Sequence, residues 1–496
     1  MRLKRIRTLF FNFYETRKYV KEMIDIQKIL FIQPPPLKEQ DLMEGIKYPP
    51  LGITSIAGFM RAKGYTVGLY DGCAFSATTE DVLSEVKKFE PDVVALTATS
   101  AIIYHAFAVA SLVKQFNPSI KVVIGGPHAT ELPYHALSNE NVDVVLRGEG
   151  ELSLLELMEA YDKGSDLHLV KGIGFRDNGK IFLTSPMPLL KDIDELPFPA
   201  YDLLPLEKYQ SPYSLRKPFI AMVRTRGCPY DCSYCEIPNV YDRRFRVQSP
   251  ERSIKEIDYL VKELGVKEIA FKDSIFTIVP SNVMKFCDLL MERNYDLTWC
   301  ANARVDNFNL ELAKKMKQAG CFSVTFGLET GDQRILDNLR KRATLEQGRE
   351  AVKIAKKAKL DVVANFMVGN PGETYGSIEN TIKYMKEVDP TYVYMGFCTA
   401  FPGTELRRQA EQNNWLIQKD PTSVRYEDVQ MNATELTNEE LKQALNRMYR
   451  AFYFRPKYIL RRMFKLSPAD IKNNLKGFKS ILRNTLRVKK GKELET

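Results

Sequence analysis

Twice along this chain, short apolar runs alternate with helical segments, and that alternation restricts the fold more than any other feature. Residues 28–32, 66–70, 93–97, 121–125 and 142–146 read as strands, with 51–63, 79–89 and 102–116 as helices between them. The strands lack a polar alternate, so both faces must be covered. That predicts a doubly wound parallel sheet with helices on each side, an α/β domain. Ligands of such sheets sit beyond the carboxyl ends of the strands. Those ends carry Asp71-Gly72, Thr97-Ala98-Thr99-Ser100, Gly125-Gly126-Pro127-His128 and Gly148-Glu149-Gly150, small enough to admit a bulky, flat ligand. Residues 173–183, centred on Asp177-Asn178-Gly179, predict a hairpin. The proline-rich and acidic stretch 186–205 predicts a linker.

The alternation resumes at 218. Runs at 219–223, 268–272, 298–301, 323–326, 361–367 and 392–397 predict six β/α units, a partial (β/α)6 barrel with its site at the strand C-termini. Polar or glycine residues follow these strands: Asp273-Ser274, Asn302-Ala303-Arg304, Gly327-Leu328-Glu329-Thr330, Gly369-Asn370-Pro371-Gly372-Glu373 and Pro402-Gly403-Thr404. The expected organisation is a basic lead-in (1–27), an α/β domain (28–185), a linker (186–217), the barrel (218–433) and a basic helical region (434–496).

Directly after the first barrel strand comes Arg226-Gly227-Cys228-Pro229-Tyr230-Asp231-Cys232-Ser233-Tyr234-Cys235, which holds three of the chain's eight cysteines. Three thiolates on one loop can hold three corners of a cubane iron–sulfur cluster and leave the fourth iron open for chemistry. A structural zinc site is the alternative, and it would need a fourth ligand such as Cys287; three unrelated thiols are the other. The CxxxCxxC loop ahead of a six-unit barrel resembles the signature of the radical S-adenosylmethionine (SAM) superfamily, whose open iron takes the amino and carboxylate groups of SAM. The resemblance implies one 4Fe-4S cluster on Cys228, Cys232 and Cys235. It places Glu329 on the ribose or amino group and the 368–373 turn, with Gly369, Gly372 and Glu373, on adenine. Arg304 is a carboxylate partner, because a guanidinium fork suits that group. Tyr230 and Tyr234 are expected as packing residues of the loop. Cys287, Cys300, Cys321 and Cys398 form no CxxC pair and read as packed thiols.

The stretches Gly125-Gly126-Pro127-His128-Ala129-Thr130 and Arg147-Gly148-Glu149-Gly150-Glu151 resemble the cobalamin-binding domain that precedes many radical SAM barrels. Gly125, Gly126, His128, Gly148, Glu149 and Gly150 are thereby implied as cobalamin contacts. One departure stands out. Cobalamin domains that ligate cobalt with histidine use an Asp-x-His-x-x-Gly loop, whereas this chain has Asp71-Gly72-Cys73-Ala74-Phe75-Ser76. Either cobalamin binds without a protein imidazole or the domain is a relic that has lost it, and His128 is read as a hydrogen-bonded loop residue.

Charge is unevenly distributed. Residues 455–496 hold 13 Lys/Arg and 3 Asp/Glu, which accounts for the whole net charge of +10. A basic surface over the entire protein is absent, so no nucleic acid is expected as a partner. The few, clustered cysteines point to a reducing cytoplasm, and no apolar run reaches the ~18 residues that span a bilayer. Residues 452–462 resemble the C-terminal helical region of cobalamin-dependent enzymes acting on hopanoid and tetrapyrrole precursors. Further on, Ile471, Leu475, Phe478, Ile481, Leu482 and Leu486 recur at helical spacing among lysines and arginines, a pattern suited to peripheral contact with an anionic membrane. The family mechanism implies reductive cleavage of SAM to a 5′-deoxyadenosyl radical, with the electron from a donor such as flavodoxin or ferredoxin. The radical modifies an unactivated carbon of a small hydrophobic, lipid- or isoprenoid-like substrate, by methylation from cobalamin. Cyclisation, oxidation or carbon–carbon bond formation would use the same motifs. A non-catalytic iron–sulfur carrier would cleave no SAM. Replacing Cys228, Cys232 and Cys235 with Ala is expected to abolish the cluster and SAM cleavage. Replacing Cys287, Cys300, Cys321 and Cys398 should leave about four irons per chain, the content of one cubane, by iron analysis.

Overall fold

Successive side chains of a strand point to opposite faces, and in the first domain both sets are apolar. On β1 (Lys28–Gln33), Leu30 and Ile32 enter one core while Ile29 and Phe31 enter the other. The same split recurs on β3 (Val93–Thr97), where Val94 and Leu96 face away from Val93 and Ala95. Helices are therefore required on both sides of the sheet. Helix α1 (Leu51–Ala62) contributes Ile53, Ala57 and Met60 to one core, and α2 (Thr79–Phe89) contributes Val82 and Val86 to the other. Helix α2 begins at a capping box in which Thr78 and Asp81 satisfy each other's backbone N–H groups.

The computed structural model describes residues 27–35, 47–211, 214–422 and 428–463. The basic lead-in up to residue 26 and the amphipathic stretch from 471 lie outside them. The first sheet has the order β2-β1-β3-β4-β5-β6-β7, with β2 at Thr66–Asp71, β4 at Lys121–Gly125 and β5 at Val144–Leu146. Strands β1 to β5 are parallel, and β1 pairs with both β2 and β3. The strand order thus reverses beside β1, where open α/β sheets take their ligands. The expected hairpin forms as β6 (Ile173–Asp177) and β7 (Lys180–Leu183). It also pairs antiparallel with β5 and lengthens the sheet, which the sequence reading did not foresee. Contacts group Pro50–Leu190 and Leu196–Leu204 in one compact unit, and the chain from Pro205 in a second.

The second unit holds six parallel strands in sequential order: β8 (Phe219–Met222), β11 (Glu268–Phe271), β12 (Thr298–Ala303), β13 (Cys321–Glu329), β14 (Asp361–Val368) and β15 (Tyr392–Phe397). Strands β8 and β15 are not paired with each other, so the barrel is partial, as expected. Trp299 anchors one side of its core, edge-on to Phe271 and Phe286 with its indole N–H donated to the Ala319 carbonyl at 2.7 Å. Helix α3 (Asn438–Tyr453) lies along the outer edge of β15. Tyr453 accepts the Val393 N–H at 3.1 Å and donates to the Val393 carbonyl at 2.8 Å. Tyr449 does the same for Met395, at 3.0 and 2.8 Å. A hydroxyl can fill both roles, so these tyrosines pair an edge that would otherwise be bare. Tyr453→Phe should cost about 1–3 kcal/mol in denaturant unfolding, because it leaves a strand N–H and carbonyl without partners.

Candidate active site

A short ribbon, β9 (Thr225–Arg226) against β10 (Arg246–Val247), closes the base of the cysteine loop. Gly227 has φ +84°, and a Cβ there would stand 1.9 Å from the Arg244 carbonyl oxygen, so only glycine permits this closure. Beneath the ribbon, the buried Asp273 accepts the Arg224 N–H at 2.9 Å. The Arg224 side chain is also buried, bonded to Ser253 and Asn282 and lying 4.0 Å from the Phe286 ring centroid. Burial brings its pKa down to about 10.

The other side of the loop is stitched to the segment after residue 338. Ser233 donates its N–H to the Leu339 carbonyl at 3.0 Å and accepts from the Leu406 N–H at 2.8 Å. Arg342 pairs with Asp231 at 2.8 Å. Cys228 is buried, and Cys232 and Cys235 are half-buried. Burial pushes the Cys228 thiol up and the Cys235 thiol to about 12. Left uncoordinated, Cys228 and Cys235 would stay protonated, and metal coordination is what deprotonates such a group. Cys287, the fourth ligand that a zinc site would need, is fully buried on the helix Pro280–Arg293, next to Arg224 in charge terms. Among the described residues, no three His, Cys, Asp or Glu side chains converge on one ion.

Glu329, at the end of β13, adopts φ +63°, a conformation rare for a residue with a side chain. Its Oε1 accepts from Lys341 Nζ at 2.7 Å and from the Tyr234 hydroxyl at 2.9 Å. A Cβ on Gly327 would come within 2.2 Å of Oε1, so that glycine makes room for the pair. Burial opposes the charge on Lys341, but Glu329 outweighs it and holds the ammonium above its ordinary range. Arg304, expected on the carboxylate of SAM, has its donors engaged within the protein instead: Nε bonds Asp306 at 2.9 Å, and Nη2 reaches the carbonyls of Lys341 and Arg342. The guanidinium also stacks 3.7 Å over Tyr230. In the 368–373 turn, Gly369 and Gly372 have φ +84° and +76°. Glu373 is buried and accepts the Gly369 N–H at 2.6 Å, so it latches the turn; burial raises its pKa to about 7. Asn370 beside it is fully buried, and its Oδ1 has no partner among the described residues.

On the first sheet, a Cβ at Gly148 would meet nothing within 4 Å, and one at Gly125 only Leu146 at 3.7 Å, so the ends of β4 and β5 open onto space. Gly126 is different: a Cβ there would lie 2.8 Å from the Ala98 oxygen, locking adjacent strand ends together. A Cβ at Gly150 would likewise lie 2.6 Å from the Ile56 side chain, and Glu149 accepts the Leu190 N–H at 3.3 Å. His128 is buried with both ring nitrogens engaged, Nδ1 with Ser100 at 2.9 Å and Nε2 with His135 at 3.0 Å. Asp71 caps the helical turn of its loop through the Ala74 N–H, and Cys73 donates to the Pro34 carbonyl.

Residues 222–385 match the model of the Radical SAM superfamily, and residues 45–158 that of the B12 binding domain. An uncharacterized methyltransferase of Pyrococcus horikoshii is 36% identical over 453 residues, 91% of this chain and 98% of that protein. This chain is a cobalamin-binding member of the radical SAM superfamily. The anaerobic magnesium-protoporphyrin IX monomethyl ester cyclase of Rubrivivax gelatinosus is 31% identical, over 72% of this chain and 66% of the cyclase. Among solved structures, the cobalamin-dependent radical enzyme OxsB with aqua-cobalamin and SAM bound superimposes with a TM-score of 0.73 at 15% identity, covering 92% of this chain and 71% of that one. As a radical SAM enzyme of this type, the protein has one 4Fe-4S cluster, SAM and cobalamin as cofactors.

Three residues at the site escaped sequence reading. Lys341 sits in Arg340-Lys341-Arg342, which looks like a solvated charge run. Asn370 was hidden among turn residues, and Arg224 follows an apolar strand as though leaving it for solvent. Lys341→Met should weaken SAM binding by about ten- to hundredfold in equilibrium dialysis, with iron content unchanged, because it removes a charge-assisted partner and leaves the buried Glu329 carboxylate without its counter-ion.

Proposed function

We propose that the protein is a cobalamin-dependent radical SAM methyltransferase that modifies an unactivated carbon of a small hydrophobic, lipid- or isoprenoid-like substrate. The observation that carries this reading is the junction of the cysteine loop with the Glu329–Lys341 pair at the barrel's strand ends. In this reading Cys228, Cys232 and Cys235 hold the cluster. Glu329 takes the amino group of SAM, and Lys341 takes its carboxylate. Their opposite charges fit the two ends of an amino acid, and the buried setting strengthens both contacts. Tyr234 fixes the Glu329 carboxylate, and Arg304 fixes the carbonyls of Lys341 and Arg342. Asn370 Oδ1 is an acceptor suited to the exocyclic amine of adenine, and Glu373 keeps that turn in shape. Gly125 and Gly148 leave the ledge on which the corrin would lie. The bound cofactors supply one-electron chemistry at carbon and a methyl group for transfer, while the protein positions them and excludes water.

His128 cannot serve as a cobalt ligand without giving up Ser100 or His135, so in this reading it positions the Gly126–Thr130 turn. An electron donor of the flavodoxin or ferredoxin type completes the system. Among the described residues no helix is long and apolar enough to cross a membrane. Peripheral contact through the basic tail would bring a lipid-like substrate within reach.

Cyclisation is the second reading, favoured by the 31% identity to the cyclase of Rubrivivax gelatinosus. Anaerobic incubation of the reconstituted enzyme with methyl-labelled SAM, a chemical reductant and a lipid extract separates the two. Label is expected in a hydrophobic product. Production of 5′-deoxyadenosine with no label transferred would favour cyclisation, and no SAM cleavage by cluster-loaded protein would refute both.

A further inference from the structure

The inner side of the cysteine loop is charge-balanced, but its outer side is not. Lys341 is neutralised by Glu329 and Arg304 by Asp306, all buried or nearly so. On the solvent side stand Arg243, Arg244, Arg340, Arg342 and Arg408, every one of them exposed. Three carboxylates pair with them: Asp231 with Arg342, Asp242 with Arg244, and Glu405 with both Arg340 and Arg408. The arginines therefore leave an excess of positive charge.

Their placement follows from the contacts that hold the loop. Arg244 has its carbonyl packed against Gly227, one residue before Cys228. Arg342 is bonded to Asp231, one residue before Cys232. Arg408 and Asn239 both donate to the Gly403 carbonyl, and Asn239 lies four residues past Cys235. Three separate chain segments thus bring arginines around the same ten-residue loop. Arg243 and Arg244 owe their exposure to a tight turn in which Asp242 and Arg243 have φ +47° and +53°.

We infer that this arginine rim is the docking surface for an acidic one-electron carrier protein. The inference rests on the radical SAM reading of the site, because that chemistry requires an electron to reach the cluster from outside. Electron transfer weakens steeply with distance, so the donor must settle over the face nearest the cysteines. That face is the rim. Exposed charges add little to static affinity, but they steer encounter and fix orientation, and they respond strongly to salt. An acidic carrier is the complementary shape of charge, and the inward pairs do not compete for it because they are buried.

The test uses the reconstituted holoenzyme with purified flavodoxin as the probe. Flavodoxin binding and flavodoxin-driven cluster reduction, followed by paramagnetic resonance, are measured from about 0.03 M to about 0.5 M salt. Wild-type affinity should fall with salt. The double variant Arg243→Glu/Arg244→Glu should lose about tenfold or more in affinity at low salt and become insensitive to salt. Its iron content and its dithionite-driven SAM cleavage should match wild type, since neither side chain touches the cluster site. Arg408→Glu, on the separate helix Glu405–Gln412, repeats the test if the double variant does not fold. Unchanged flavodoxin affinity and reduction rate in both variants would overturn the docking surface. Absence of dithionite-driven cleavage in the wild type would instead overturn the catalytic reading.

Discussion

The contact on which the rest of the site depends is the ion pair of Lys341 with Glu329. An ammonium buried beneath the cysteine loop is tolerable only beside a carboxylate, because removing one partner of a buried pair leaves an uncompensated charge costing about 3–5 kcal/mol. Much of the local backbone is arranged to keep the two groups 2.7 Å apart. Glu329 accepts a left-handed conformation, Gly327 gives up its side chain, and Arg340 and Arg342 both adopt positive φ on either side of Lys341. Such strain persists where the surroundings overdetermine it. Here they do so through the Arg304 brace and the two backbone bonds of Ser233.

This arrangement couples the cysteine loop to the end of β13 without any cofactor in between. Tyr234 lies between Cys232 and Cys235 in sequence, and its hydroxyl meets both Glu329 and Lys341. A shift of the loop would therefore be felt at the carboxylate, and the reverse also holds. The ribbon at the loop's base and the buried Arg224 fix the opposite end. The loop that carries the three cysteines is thus held at both ends and across its middle.

Much of this was legible in the sequence, for a physical reason. Strands covered on both faces must be apolar throughout, so their bounds stand out: 28–32 became Lys28–Gln33, 219–223 became Phe219–Met222, and 392–397 is unchanged. Strand β13 runs longer than read, from Cys321 to Glu329, because its upper half carries Gly327 and Glu329, residues that do not look like strand. Spacing alone located the cysteine loop. Lys341 stayed hidden because direction is set by backbone torsions, and two positive φ values turn one residue of a basic triplet inward. Arg224 stayed hidden because its partners, Ser253 and Asn282, come from two later helices. His128 has both ring nitrogens bonded, but it sits in the short helix Pro127–Glu131 and not in a loop, and His135, its second partner, could not be seen from one sequence.

The tyrosine pairing on β15 has a consequence for the aperture of the barrel. A full β/α barrel satisfies its last strand by pairing it with the first, and that pairing sets the circumference. In this protein β15 obtains its partners from hydroxyls on a helix, and it owes nothing to β8. The width of the opening is then decoupled from strand geometry. It can be widened or narrowed by residues that seat one helix, with the edge groups of Val393 and Met395 left satisfied. A scaffold with that freedom can be refitted to substrates of different girth while its cysteine loop and the Glu329–Lys341 pair stay where they are.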